Sequence, residues 1–170
     1  MADELEKSIL EYLRSTSPTG IRADRLAART ELQAYVGVDD IHIARRSALP
    51  SSDAADFALL VQRIATIPQP DLKGEPCYSI AIVQFTLLGA DKFSRNPVAL
   101  TVQRLANQEL RIMFSAYQGG MGTNGTVYDS RIERSQYRAA RFPIDASDGW
   151  SFAYTLDVRF FYEQQAVDYV

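Results

Sequence analysis

"WSFAYTLDVRFFYE", Trp150–Glu163, has the clearest periodicity in this sequence of 170 residues. Every second residue is aromatic or aliphatic, and most of the others are small, polar or charged. Side chains alternate between the two faces of a β-strand, so the pattern predicts a strand with one buried face. Such a row could also stack on unpaired nucleic-acid bases, but a core face is the favoured interpretation. Its members are Trp150, Phe152, Tyr154, Leu156, Val158, Phe160 and Tyr162.

The residues before this strand predict its neighbours in a sheet. "DASDG", Asp145–Gly149, has the composition of a turn, and "TVYDSRIERSQYRAARF", Thr126–Phe142, precedes it. We therefore expect a long C-terminal β-hairpin. Further upstream, Phe57–Ala65 reads as a strand, and Cys77–Gly89 is apolar on both faces, as expected of a central strand covered on both sides. The proline- and glycine-bearing segment Ile67–Pro76 is expected to connect them.

Helices are predicted in three places. Residues 2–15 have an apolar stripe and acidic residues in the first turn, and 22–37 could form a second, shorter helix. Ser94–Leu110 predicts a third helix, with Asn96 as N-cap and Pro97 at its first position. Asp40–Arg46 and Arg111–Tyr117 read as short strands.

These elements predict an α+β fold in a single domain over residues 1–170. Its mixed, mostly antiparallel sheet is packed by helices and ends in the long C-terminal β-hairpin. We expect residues 1–56 to hold the N-terminal helical region and first strand, and residues 57–163 to hold the core sheet and helix. No internal repeat or second domain is apparent.

The composition narrows the function classes. Net charge is −3 with a pI near 5.2, which argues against broad or specific nucleic-acid binding. Cys77 is the only cysteine and His42 the only histidine, so neither a disulfide nor a cysteine-based zinc site is expected. No apolar run approaches the ~18 residues that span a membrane, and the acidic, amphipathic N-terminus does not resemble a signal peptide. We expect no cofactor, no metal and no membrane partner.

"YQGGMGTNGTVY", Tyr117–Tyr128, contains the letters G-x-G-x-x-G of a dinucleotide-binding turn. That motif needs a strand before it and a helix after it, and the following "TVYDSRIERS" has no helical stripe. The segment is therefore interpreted as a mobile loop leading into the C-terminal hairpin, and as a candidate assembly interface. Its candidate interface residues are Gly119, Gly120, Met121, Gly122, Asn124 and Gly125.

Four arginines in the predicted hairpin are spaced three, four and three residues apart: Arg131, Arg134, Arg138 and Arg141. On a helix they would form one stripe, which could contact phosphates. On a hairpin strand they would be scattered over both faces, with acidic residues between them. We favour a solvent-facing or subunit-facing strand, and count all four as candidate assembly residues.

Two other function classes stay open. His42 and Cys77 could form a base–nucleophile pair of a thiol hydrolase, although nothing in the sequence brings them together. Residues 9–32 faintly resemble the start of a winged-helix DNA-binding domain. That hypothesis predicts duplex contacts from Arg22, Arg25 and Arg29, but the next segment, "QAYVGVDDIHI", has two acids and no basic residue.

The order of elements from Phe57 to Glu163 resembles the tail terminator (tail completion) proteins of long-tailed bacteriophages. The resemblance depends on the strand Ser79–Gly89, the Asp-opened helical segment Asp91–Glu109 and the final strand Leu156–Tyr162. Residues 1–56 compare only loosely with that family, and the glycine-rich segment Gly119–Gly125 departs from its pattern.

The resemblance implies a structural protein and not an enzyme. It implies a ring, typically a homo-hexamer, that caps the tail tube, stops its polymerisation and joins the tail to the head–neck connector. The implied partners are other copies of the chain, the tail tube protein, the connector and, in a contractile tail, the sheath. The implied location is the tail or neck of a virion assembled in the bacterial host cytoplasm. Another neck or head-completion protein would fit nearly as well.

Overall fold

The computed structural model describes residues 4–17, 22–43, 57–70, 76–90, 97–115, 117, 119–120, 126–138 and 150–163. A short 3-10 helix at Val38–Asp40 precedes the first strand. The helices are α1 (Glu4–Arg14), α2 (Ala23–Tyr35) and α3 (Pro97–Phe114). The strands are β1 (Ile41–Ile43), β2 (Phe57–Pro70), β3 (Pro76–Ala90), β4 (Gly119–Gly120), β5 (Thr126–Arg138) and β6 (Trp150–Glu163).

The six strands form one mixed sheet in the order β1-β2-β3-β6-β5-β4. Among the described strands, β1 and β2 run parallel and all other neighbouring pairs are antiparallel. Strands β5 and β6 pair from Val127 with Tyr162 to Arg138 with Ala153, which is the predicted C-terminal hairpin. The α+β fold predicted from the sequence is therefore confirmed.

The core lies between the three helices and one side of the sheet, which we call the inner face. On β6 the described members of the alternating row, from Leu156 to Tyr162, are buried there, and Tyr154 packs against them. Phe114 at the end of α3 stacks on Phe85 of β3 at 4.8 Å between ring centroids. Its edge meets Phe160 at 5.5 Å. The buried faces of β3, β6 and α3 therefore meet in one aromatic cluster.

Helix α3 starts at Pro97, as predicted, but it continues through Phe114. The predicted strand at Arg111–Tyr117 is therefore wrong. Its apolar residues extend the helical stripe, because Ala106, Leu110 and Met113 are all buried at spacings of four and three. The end of the helix is fixed to β5 through buried Ser130, whose hydroxyl accepts from the Tyr117 amide and donates to the Phe114 carbonyl.

The predicted connection at Ile67–Pro76 is also wrong in its outer parts. Strand β2 runs on to Pro70 and β3 begins at Pro76. The prolines are tolerated because β1 pairs with β2 only from Leu59 to Val61. Among the described strands, the far end of β2 is therefore an edge, where no partner needs the missing N–H groups.

The central strand β3 was predicted to be covered on both sides. Phe85 and its alternate neighbours Ala81, Val83 and Leu87 are buried on the inner face. On the opposite side Thr86 and Leu88 are buried, whereas Ile80, Ile82 and Gln84 are only half-buried. The prediction therefore holds at one end of the strand, and the other end is partly open.

Candidate assembly surface

The side of the sheet turned away from the helices, which we call the outer face, is built from rows of paired residues. Residues that pair across an antiparallel ladder share a face. Each row therefore consists of one residue from each of β2, β3, β6 and β5, paired in that order. The three rows at the open end are Ile67–Ile80–Phe161–Asp129, Ala65–Ile82–Arg159–Arg131 and Gln62–Gln84–Asp157–Arg134.

The outer face changes character along the strands. At one end Leu60, Thr86 and Thr155 form a buried row, beside buried Ala58 and Leu88. The row with Gln84 and Asp157 is polar, and the last row is apolar and partly exposed. A contiguous, partly exposed apolar patch with a charged rim is the usual composition of a protein interface.

A bulge in β2 shapes the open end. The register shifts between Arg63 and Ala65, and the extra residue, Ile64, is 48% exposed. The Glu6 carboxylate of α1 accepts a hydrogen bond from the Arg63 amide at 2.8 Å, which supports the strand beside the bulge. Because of the shift, Ala65 and Ile67 lie on the outer face, and Ile67 is 50% exposed.

Arginine and aromatic groups meet beside this apolar row. The Arg131 guanidinium lies over the Phe161 ring at 5.6 Å from its centroid, and the Arg131 side chain is 71% exposed. Phe161 is half-buried between Ile80 and Asp129. Arginine and aromatic residues are enriched at the energetic centres of interfaces, so this pair is a candidate anchor on the outer face.

The charges on the outer face are balanced. Arg131 and Arg159 lie opposite each other on β5 and β6, and each has its own carboxylate. Arg159 forms an ion pair with Glu133 at 2.7 Å between Nε and Oε1, and Arg131 with Asp129 at 3.4 Å. In the next row the Gln84 amide donates to Asp157 at 3.0 Å. Like-charge repulsion across the strands is thereby offset within the face.

The structure corrects the expectation that the hairpin arginines would be scattered over both faces. One of the two register shifts in β5, between Ile132 and Arg134, moves the alternation by one residue. Arg131 and Arg134 therefore both lie exposed on the outer face, opposite Arg159 and Asp157. Nothing in the composition of "RIERS" marks that shift. Arg138 lies on β5 opposite Ala153, and Arg141 falls outside the described residues.

The glycine-rich segment is described only in part. Gly119 and Gly120 form β4, paired with Val127 and Thr126 at the edge of the sheet. The other candidate residues, Met121, Gly122, Asn124 and Gly125, fall outside the described residues. The segment after this glycine pair leads into a strand, β5, and not into a helix, so the G-x-G-x-x-G letters lack the context of a dinucleotide site.

The arginines expected to contact DNA in the winged-helix hypothesis are mostly internal. Arg29 is 1% exposed and donates to the carbonyls of Tyr12 and Ser17, while Arg25 is 5% exposed and donates to the Ser115 carbonyl. Only Arg22 is exposed, and it pairs with Asp24 at 3.0 Å. In residues 33–43, where that hypothesis expects a recognition helix, α2 ends at Tyr35, and a 3-10 turn and a strand follow.

These buried arginines join α2 to an aromatic cluster. Arg29 lies over Tyr12 at 5.4 Å and Arg25 over Tyr117 at 4.7 Å, and the two rings meet edge to face at 5.5 Å. Burial raises the pKa of Tyr12 to about 12, with a further increase from Tyr117. Burial also raises the pKa of Tyr117. The cluster therefore acts as a cationic and aromatic core between helices, with neutral phenols at neutral pH.

His42 and Cys77 do not come together. His42 pairs with Leu60, and Leu60 with Thr86 of β3. Cys77 lies nine positions before Thr86 on β3, about 30 Å away at the usual rise of a strand. Burial, and then the nearby Arg14 charge, lower the pKa of His42. The base–nucleophile hypothesis is therefore incompatible with the strand register.

In the described part of the chain, no group of three or more His, Cys, Asp or Glu residues could hold a metal ion. None of the described helices is long and apolar enough to cross a membrane.

Comparison with known proteins gives a structural likeness only. No protein-family model matches the sequence, and no curated protein matches it. A chain from the solved structure of the virion of a native gene transfer agent (GTA) particle has the same fold, with a TM-score of 0.57. The alignment covers 96% of this chain and 100% of that chain, at 9% sequence identity. The fold is therefore shared over nearly the whole length.

Proposed function

We propose that this chain is a structural virion protein, a tail terminator whose ring caps the tail tube and joins it to the head–neck connector. The observation that carries the proposal is the fold shared with a chain of a gene transfer agent virion over 96% of the sequence. The motif resemblance of Ser79–Gly89 and Leu156–Tyr162 to tail terminators points to the same role. The open end of the outer face, with Arg131 over Phe161, supplies a surface suited to protein assembly.

The proposed role is structural and not enzymatic. In it, copies of the chain form a closed ring, with a hexamer as the expected state, and the ring lies in the tail or neck of a virion assembled in the host cytoplasm. Its other partners are the tail tube protein, the connector and, in a contractile tail, the sheath. The glycine-rich segment Gly119–Gly125 and the arginines of β5 are the proposed contacts with a neighbouring subunit or ring.

Electron microscopy with purified tail tubes tests this function. The full chain is added to tubes that still elongate in the presence of free tube protein. A terminator forms a ring of additional density at one tube end and stops elongation there. Purified connector then binds the capped end and leaves an uncapped end free. A chain that neither binds tube ends nor limits their growth would overturn the proposal, whereas connector binding without capping would favour another neck protein.

A further inference from the structure

The part of β2 beyond its pairing with β1 has the composition of a strand that pairs between chains. From Ile64 to Gln69 it has no charged residue, and Ile64 and Ile67 are both exposed. Uncharged segments rich in β-branched residues associate readily when they lie on the edge of a sheet. Among the described strands none pairs with this side of β2. Two copies would therefore join here by strand pairing unless the edge itself prevents it.

The hydrogen bond made by Arg63 shows which backbone groups of β2 face this edge. The Arg63 N–H donates to the Glu6 carboxylate of α1 at 2.8 Å and not to β3, so it points outward. Backbone groups alternate in direction along an antiparallel strand. The bulge at Ile64 adds one residue and shifts that alternation by one position. The outward positions after the bulge are therefore Thr66, Pro68 and Pro70.

The outward N–H groups on this edge are nearly all used or missing. The Arg63 N–H is bound by Glu6, and proline has no N–H to donate at positions 68 and 70. In the described part of the chain, Thr66 is the one residue with an outward N–H between the bulge and the end of β2. A strand added here would bury most of the carbonyl groups that it turns towards β2 without a donor. Proline, a bulge and cover from another element are separate ways to protect an edge, and this edge has all three.

We infer that β2 blocks strand addition between copies of the chain, with Pro68 and Pro70 as the block. The two prolines remove the outward donors beside the exposed Ile64 and Ile67, where an uncharged strand would otherwise pair. The sheet of one copy therefore does not continue into the next copy through β2, and any contact on this side of the protein is left to side chains. The inference is independent of the proposed ring, because it holds for any assembly state of the wild-type chain.

Restoring the two donors tests the block. Pro68→Thr/Pro70→Thr is made in the full chain, since threonine supplies an N–H and suits a strand. Gln69→Thr is the matched control, because it introduces the same side chain into the same strand at a position whose N–H points towards β3. In sedimentation velocity, the double variant should associate at a concentration about tenfold or more below that of the wild-type chain. Gln69→Thr should follow the wild-type chain.

Amide hydrogen exchange locates the new contact. In the associated double variant, the amides at positions 66, 68 and 70 should exchange more slowly than in a dilute sample, because they then donate to a neighbouring strand. A double variant that associates no more than the wild-type chain would overturn the inference. Association without slower exchange at these positions would overturn it as well, since the contact would then lie elsewhere.

The single variants keep the test decisive if the double variant does not fold, which circular dichroism checks. Pro68→Thr and Pro70→Thr each restore one donor and should each shift association in the same direction by a smaller factor. Two folded single variants that both behave as the wild-type chain would contradict the block. Tube capping by the wild-type chain is a separate measurement, so failure of the terminator function and failure of this inference are distinguishable.

Discussion

The inner and outer faces of the same sheet differ in the polarity and burial of their side chains. On the inner face, β3 and β6 place apolar side chains at every second position, and the helices bury all of the described ones except the partly buried Tyr154. On the outer face, the same strands pass from a buried row to a polar row and then to a half-exposed apolar row. The inner face is determined by the need for a core, so the outer face is where the sequence is free to specify a partner.

Removing Phe114 is the most damaging way to test the inner face. Phe114→Ala removes the ring that contacts Phe85, Phe160 and Tyr12. It should lower the free energy of unfolding by about 3–5 kcal/mol, through lost burial and the cavity left behind. Urea denaturation followed by circular dichroism measures this, with Phe114→Leu as the milder control. A loss below about 1 kcal/mol would mean that α3 does not seal the core as the structure indicates.

The bulge in β2 moves the residues after it to the opposite face of the sheet. Glu6 of α1 holds the strand beside this bulge by a hydrogen bond. Glu6→Ala removes the carboxylate that accepts from the Arg63 amide and should cost about 1.5–3 kcal/mol, as for a hydrogen bond to a charged group. Glu6→Gln keeps an acceptor and should recover much of the loss. Amide hydrogen exchange provides the second measurement, and exchange near Ile64 should increase in the alanine variant. Unchanged exchange there would show that the Glu6 carboxylate does not stabilise the bulge.

The pH dependence of the free energy of unfolding tests the burial of the Tyr12 hydroxyl. This hydroxyl is buried, without a hydrogen-bond partner, and its pKa is raised from 10.0 to about 12. The folded state therefore keeps this proton while the unfolded state loses it, so stability is fully present below pH 10 and is lost as the pH rises towards 12. Between pH 9 and 11 the wild-type chain should lose about 1 kcal/mol more than Tyr12→Phe.

Denaturant melts of both proteins at each pH measure that difference. Tyr117→Phe offers a comparison, since burial raises the pKa of Tyr117 in the same direction. At neutral pH Tyr12→Phe should be as stable as the wild-type chain or more so, because it removes a buried hydroxyl without a partner. Parallel pH profiles for the wild-type chain and Tyr12→Phe would place the phenol in contact with water.

The difference between the faces also explains what the sequence could predict. Period-two alternation in Trp150–Glu163 and the proline at the start of α3 follow from local rules, and both predictions are confirmed. Arg111–Phe114 was mistaken for a strand because a short apolar run has no decisive period by itself. Its role as the last turn of α3 is visible only together with the buried residues one and two turns earlier.

The outer face could not be predicted because it depends on one bulge in β2 and two register shifts in β5. A one-residue shift moves every following side chain to the other face, and it placed Arg131 and Arg134 together where regular alternation would have separated them. The burial of Arg25 and Arg29 was missed for a related reason. Their partners are carbonyls and aromatic rings that are remote in sequence, such as Tyr12 and Ser115, and composition alone suggests a solvated helix face.

The smallest expected effect on stability lies on the outer face, at Ile67. Ile67→Thr should change the free energy of unfolding by less than about 0.5 kcal/mol, because the side chain is already 50% exposed and threonine suits a strand. Val61→Thr, the matched change on the inner face of β2, should cost about 1–3 kcal/mol, since it buries a hydroxyl in the core. Thermal melts measure both. Equal losses would show that Ile67 already contributes to folding, whereas a neutral Ile67→Thr that also weakens self-association would show that this apolar residue serves contact between copies.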